Sequence, residues 1–284
     1  MVVARHESGV VGASKALASQ VHPVFMLPPL ATSLFGAVLA GSVDLRVAGL
    51  HALAMFFAVY TAHVKDGFVD FHVRGEDDDH PLTVGGCRGA LVASAAGFLG
   101  CTVGLWLLAS PLAALVTAPT WVIGYTHAPQ LDLNPVGATM GYPTGIALAL
   151  LGGYYAQATG FGPQVLGLAG VFLCMLTGIK IIDDETDFDY DSSIDKRTVA
   201  VVLGPRRARQ LALGLFGLAM VGVVALALVL PGIPPTAAAG AVVFGAVLAV
   251  AYRAEATLAT MLLIRGSYLF LAVLVAAVWF RPLA

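Results

Sequence analysis

The sequence predicts an all-α membrane protein, a single transmembrane domain of nine helices spanning residues 1–284. Three observations carry that prediction. Hydrophobic residues make up 58% of the 284 positions and charged residues only 11%, against about 25% charged in a soluble domain, and the mean hydropathy is +0.87. The charges are unevenly spaced, leaving long stretches with none. The acidic residues gather in two runs, Glu76 to Asp79 and Asp183 to Asp195. So few charges cannot wet a globule of this size, which excludes a soluble enzyme. A nucleic-acid partner would need a basic surface, and none is visible, nor is a required protein partner.

The gaps between charges place the helices in order. No Asp, Glu, Lys or Arg lies between Lys15 and Asp44, Arg46 and Lys65, Arg88 and Asp132, Asp132 and Lys180, or Arg209 and Arg253. A span needs roughly 20 apolar residues, so the first two gaps hold one helix each and the next three hold two each. Thr257 to Phe280 supplies the last. The predicted spans are 22–42, 47–64, 88–108, 111–126, 138–157, 163–182, 208–230, 235–252 and 257–279. Pro23, Pro28, Pro29, Pro111, Pro119 and Pro143 stand where they can bend or break helices. Arg265 lies inside the ninth span, either paired within the bundle or marking a helix boundary. Residues 10–20 read as a short interfacial element, and the first 20 residues lack the apolar core of a cleaved leader.

Orientation follows from the basic residues. With the N-terminus in the cytoplasm, the segments 65–87, 127–137, 183–207 and 253–256 share that side. It then carries twelve of the 15 Lys and Arg residues, leaving Arg46 and Arg281 opposite and Arg265 inside a span. The expectation is a multi-pass protein of the cell membrane, with its C-terminus on the far side. Cys87, Cys101 and Cys174 have no CxxC spacing, so the sequence supports neither a disulfide framework nor a zinc site.

Both acid-rich segments fall on the predicted cytoplasmic side, at helix ends. If the second span continues as a helix, Asp66 and Asp70 lie one turn apart on a common face. Asp184, Asp187 and Asp191, at i, i+3 and i+7, would likewise share one face. Like charges at this spacing repel, and a shared cation would remove the cost. Mg²⁺ typically combines one or two carboxylates with substrate phosphates, and Lys196-Arg197 suits phosphate oxygens. The pattern therefore fits a diphosphate held through Mg²⁺ between two acidic clusters. The plainer alternative is a pair of solvated loops that cap helices.

The stretch Asp184-Glu185-Thr186-Asp187-Phe188-Asp189-Tyr190-Asp191 through Lys196-Arg197-Thr198 to Gly204 resembles the second aspartate motif of the UbiA family of intramembrane prenyltransferases, DxxDxxxDxxxGKRTxAVxxG. Only Asp195, in place of a glycine, departs from it. The first motif, NDxxDxxxD followed by Arg-Pro-Leu, is divergent. Either Ala62-His63 occupies the Asn-Asp place with Asp66 and Asp70 next, or Lys65-Asp66 does, with one residue inserted before Asp70. His80-Pro81-Leu82 stands for Arg-Pro-Leu, and His22-Pro23 for an Arg-Pro common in the family. Tyr125-Thr126-His127-Ala128-Pro129 and Gly153-Tyr154-Tyr155-Ala156-Gln157 resemble the YTxxP and GxYYxQ elements of the naphthoate prenyltransferases of menaquinone synthesis.

This resemblance implies a nine-helix bundle and Mg²⁺-dependent transfer of a polyprenyl group from its diphosphate. It implies Asp66, Asp70, Asp184, Asp187 and Asp191 as metal ligands and catalytic residues. Lys65, Lys196, Arg197, Tyr125 and Tyr155 would contact substrates. The implied acceptor is aromatic, 1,4-dihydroxy-2-naphthoate. The alternatives are a non-aromatic lipid or carotenoid acceptor, or a noncatalytic or transporter-like membrane protein. Reporter fusions after Asp79 and after Asp195 are expected to report cytoplasm, and one at Asp44 the opposite side. Opposite reports from the two acidic segments would exclude a common metal site.

Overall fold

The computed structural model describes residues 2–194 and 196–281. Asp195, the one departure in the second motif, lies outside the described residues. The helices are α1 (Gly9–Ala18), α2 (Pro23–Leu39), α3 (Leu45–Val69), α4 (Val84–Leu108), α5 (Pro111–Thr126), α6 (Pro135–Ala158) and α7 (Pro163–Thr186), followed by two short ones, α8 (Phe188–Ser193) and α9 (Val199–Leu203). Then come α10 (Pro205–Val229), α11 (Ala239–Ala251) and α12 (Ala256–Phe280). Helices occupy each of the nine predicted stretches, but five are individually long and apolar enough to cross a membrane: α3 with its π-turn Asp70–Arg74, α4, α7, α10 and α12. The α1–α2 pair, bent by 66°, raises that to six. The 16 residues of α5 and 13 of α11 fall short of the roughly 20 that a full crossing takes. Arg265 interrupts nothing. It sits on an exposed face of α12, which runs unbroken from Ala256 to Phe280.

Several of the prolines start helices rather than break them. Pro23, Pro111, Pro135, Pro163 and Pro205 each open one, where the missing N–H is not needed. Side-chain caps mark other starts: Asp44 accepts from the Arg46 N–H at 2.8 Å, and Asn134 from the Gly137 N–H at 2.7 Å. Pro28 and Pro29 lie inside α2. Without their N–H groups, the carbonyls one turn earlier, on Val24 and Phe25, lose their helical partners. Tyrosine hydroxyls take their place. Tyr268 of α12 donates to Val24 O, and Tyr142 of α6 donates to Phe25 O at 2.9 Å. The double proline thus ties α2 sideways to two other helices.

Lipid gives apolar surfaces little reason to leave it, so packing between spans depends on close fit and small residues. The α2–α6 contact shows this. A Cβ added to Gly36 would lie 2.2 Å from Leu150 O, and one added to Gly153 would lie 2.1 Å from Ser33 O. In the other half, Phe172, Phe216, Phe244 and Phe270 are fully buried in one cluster of α7, α10, α11 and α12. Phe172 meets Phe270 edge-on at 5.6 Å, and Phe244 meets Phe270 at 6.3 Å; such pairs contribute about 0.5–1.5 kcal/mol each beyond burial. Contacts run from α2 through α7, on to α10, α11 and α12, and back from α12 to α2. Gly153→Ala is expected to destabilise the fold by about 1–3 kcal/mol, the usual cost of overpacking, because the obstacle is backbone. Thermal unfolding in detergent, compared with Gly170→Ala where nothing lies within 4 Å, reads the difference.

Candidate functional site

The two acidic segments meet at one end of the bundle. At the C-terminal end of α3 the helix loosens into the π-turn Asp70–Arg74 and stops at Gly75, which adopts φ +67°. This brings Arg74 back onto three carboxylates: Asp70 at 3.5 Å, Glu76 at 3.6 Å and Asp132 at 3.0 Å. Asp132 is buried between α5 and α6, and its carbonyl accepts the Arg197 N–H at 3.1 Å. Through Asp132, therefore, the first segment is tied to the second. Asp132 and Arg74 were not singled out from sequence as site residues. The signals were there: Asp132 is the lone charge between Arg88 and Lys180, and Arg74 lies one turn beyond Asp70.

The second segment is not the continuous helix expected. α7 ends at Thr186, Asp187 adopts φ −102° and ψ 12°, and α8 begins at Phe188. An unbroken helix would stack Asp184, Asp187 and Asp191 along one face, where they repel. The break instead leaves Asp187 exposed, while Asp184 and Asp191 are each 1% exposed. Asp184 Oδ1 takes Lys180 Nζ at 2.7 Å, and its Oδ2 accepts from the Thr139 hydroxyl at 3.2 Å. Lys180 also reaches Asp183 at 2.8 Å. Asp191 lies 3.3 Å from Lys196 Nζ, yet neither of its buried oxygens has a hydrogen-bond partner among the described residues. Burial raises its carboxyl above the usual carboxylate range, against the pull of Lys196.

Beside these carboxylates a cavity of ≈300 Å³ opens among α2, α3, α5, α6 and α7. Met55, Ala58 and Ile146 make its depth apolar. Its polar lining comes from the helix ends at the acidic side: His22, His63, Asp66, His127, Lys180 and Asp183. Asp183, Lys180, His22 and His127 are additions to the expected set. His63 Nδ1 lies 3.2 Å from Gln20 O, and its ring stacks on His22 at 4.7 Å. His63 and Asp66 line the cavity together, one turn apart on α3. Lys65, an expected substrate contact, places its Nζ 5.2 Å above the Tyr125 ring.

The remaining expected residues are scattered. Tyr125 is exposed and stacks on Trp121 outside the cavity. Arg197 is exposed and offers its backbone to Asp132. Tyr155 lies apart from the other expected residues. It is buried against Phe161 near the far end of α6, 16 residues beyond Thr139 and thus about 24 Å along the helix axis. The GxYYxQ element makes contacts between helices. Gly153 seats α6 on α2, Tyr154 Oη accepts from Gln164 Nε2 at 2.7 Å, and Gln157 exchanges hydrogen bonds with the Asp44 backbone at 2.8 and 3.2 Å.

Sequence comparison decides the family: residues 27–257 match the UbiA prenyltransferase family. The chain belongs to that family. Prenyl transfer is the activity that goes with it, and the UbiA-type bundle is all-α and multi-pass. The apo structure of a UbiA homolog from Aeropyrum pernix K1 superposes with a TM-score of 0.75 at 18% identity, over 92% of this chain and 99% of that one. A UbiA homolog from Archaeoglobus fulgidus bound to GPP and Mg²⁺ gives 0.68 at 17% identity, over 94% and 99%. A structure described as digeranylgeranylglyceryl phosphate synthase gives 0.73 at 15% identity, over 95% and 99%. At such identities the likeness is one of fold. No curated protein sequence matches the chain. In this UbiA-family chain, Arg74→Ala is expected to destabilise by about 1–3 kcal/mol, because the buried Asp132 carboxylate loses its partner. Arg46→Ala, which breaks only an exposed pair with Asp44, is expected to leave stability nearly unchanged. Thermal midpoints of both variants in detergent measure the contrast.

Proposed function

We propose that this chain transfers a polyprenyl group from a polyprenyl diphosphate to a non-aromatic lipid acceptor, with Mg²⁺ as cofactor. It acts as one multi-pass transmembrane domain in the cell membrane, with its N-terminus and both acidic segments in the cytoplasm. One observation carries the reading: a single cavity, apolar in its depth, ends at Asp66 and Asp183, one from each acidic segment. At ≈300 Å³ it lies at the lower end of ligand-pocket sizes. The digeranylgeranylglyceryl phosphate synthase among the similar structures supports a lipid acceptor. The aromatic reading drew on the Tyr125–Pro129 and Gly153–Gln157 elements, of which only His127 lines the cavity.

The residues fit the cofactor. The donors are hard carboxylate oxygens, which Mg²⁺ prefers, and the buried Asp191 oxygens make no hydrogen bond among the described residues although Lys196 lies 3.3 Å away. Asp66 and Asp70 would hold it from one side, and Asp184, Asp187 and Asp191 from the other. It would supply positive charge to the departing diphosphate. The described carboxylates have not closed on one point, because Lys180, Lys196 and Arg74 neutralise them separately. Lys180, which lines the cavity, would pass to diphosphate oxygens once its carboxylates have another partner. The apolar depth takes the prenyl chain and keeps water from the allylic cation formed as the C–O bond breaks. His63 and His127, at the cavity end, are positioned to take the proton that the acceptor hydroxyl gives up.

The test is turnover of purified protein in detergent with geranylgeranyl diphosphate and Mg²⁺, offering a glycerol phosphate lipid, a carotenoid precursor and dihydroxynaphthoate in separate reactions. Mass spectrometry is expected to find a prenylated non-aromatic product that chelator abolishes. A prenylated naphthoate instead would restore the aromatic reading. Asp184→Asn and Asp191→Asn are each expected to lower turnover by at least about 100-fold, on the scale of a lost transition-state charge partner. Exposed Asp189→Asn is expected to change it little. Equal losses at Asp189 and Asp191 would show that bulk acidity, not placement, matters.

A further inference from the structure

Near the cytoplasmic segment, three side chains take no part in the site above. His72 on the π-turn, His80 in the loop before α4 and Cys87 in the first turn of α4 bring one ring nitrogen each and the Cys87 Sγ within 4.8 Å of one another. They form the sole such trio of His, Cys, Asp or Glu donors among the described residues. Cys87 is 0% and His80 4% exposed, while His72 is half-buried.

The Leu82 carbonyl lies 3.1 Å from His72 Nε2 and 3.2 Å from His80 Nδ1. When both nitrogens carry protons and donate to it, His72 Nδ1 and His80 Nε2 are left as free lone pairs. Such an N–H to a backbone carbonyl is how metal-bound imidazoles are commonly oriented. The other His80 tautomer accepts the Leu82 N–H at Nδ1, at 3.2 Å, and strands a proton on Nε2. His80 Nε2 is buried with no hydrogen-bond partner among the described residues. A buried polar atom left this way needs an explanation. The Gly67 backbone packs close to this ring edge, where a Cβ would lie 2.6 Å from Nε2, so any larger residue there would press on the nitrogen.

We propose that His72, His80 and Cys87 bind one transition-metal ion of the zinc class. Imidazole with thiolate selects such metals over Mg²⁺, which separates this site from the carboxylates. Zn–N bonds of about 2.0–2.1 Å and Zn–S bonds of about 2.3 Å require the three side chains to draw inward by about 1 Å. Three protein ligands leave a fourth position for water on the half-exposed His72 side. The bound ion would lock the loop before α4 onto α3. It would hold the N-terminal segment as well, since that loop pairs with it through Ala4 and Leu82, the Arg5 N–H to Pro81 O at 2.9 Å and the Thr83 N–H to Val3 O at 3.0 Å. None of this depends on the acceptor or on prenyl transfer.

The test uses the full chain in detergent, stripped by chelator and reloaded with Zn²⁺ or, as a spectroscopic probe, Co²⁺. About one Zn²⁺ per chain is expected by elemental analysis, with a thiolate-to-cobalt absorption band. Cys87→Ser is expected to remove that band, and His72→Asn and His80→Gln to weaken Zn²⁺ binding at least about 10-fold, in line with losses at metal-site partners. His72→Asn, at a half-exposed position, guards against simple misfolding, and Asp191→Asn is expected to keep the zinc. Three outcomes would overturn the proposal: no zinc retained by the monodisperse parent protein, a cobalt–thiolate band that survives Cys87→Ser, or zinc lost in Asp191→Asn but kept in the histidine variants.

Discussion

Crowding of carboxylates at one end of a bundle poor in charge is the constraint on which the rest of this structure depends. Repulsion there must be balanced locally, because few other charges are near. Arg74 does this for Asp70, Glu76 and Asp132, Lys180 for Asp183 and Asp184, and Lys196 for Asp191. The backbone responds as well: the π-turn carries Arg74 to its three partners, and the break at Asp187 separates acids that a straight helix would align. Local irregularity in both segments therefore has an electrostatic origin.

The far end of the bundle is held differently. There, beside the exposed Arg46–Asp44 pair, the contacts between helices are neutral and short, between Gln157 and the Asp44 backbone and between Gln164 and Tyr154. Backbone-to-backbone approach at Gly36 and Gly153 carries that rigidity along α2 and α6. A molecule fixed by amides at one end and by exchangeable ion pairs at the other is suited to admitting a charged group at the second end only.

Much of the architecture was legible in the sequence because membrane helices announce themselves by missing charges. Helix positions from α2 to α12 follow the gaps closely, and the two acidic segments do share one end. What the sequence hid was non-local. Asp132 looked like an isolated loop acid, since nothing in its neighbourhood names Arg74, 58 residues away, as its partner. The Asp184, Asp187 and Asp191 spacing read as one face because periodicity assumes a helix that the charges themselves interrupt. Tyr155 read as a substrate contact because a motif shows which residues occur together and not which end of a helix they occupy. His72, His80 and Cys87 carried no recognisable ligand spacing. The turn and loop that gather them have no sequence period.

The paired prolines of α2 show how local and tertiary preferences can oppose each other. By intrinsic propensity, proline is the worst residue for a helix interior, and alanine at position 28 or 29 would make α2 a better helix in isolation. The restored amide, however, would claim the Val24 or Phe25 carbonyl that Tyr268 or Tyr142 now holds. A straighter, self-sufficient α2 would be a less anchored one, and Tyr142, which lines the cavity, would lose the acceptor that orients its ring. Here the shape of the cavity wall depends on a hydrogen bond that the helix is prevented from making with itself.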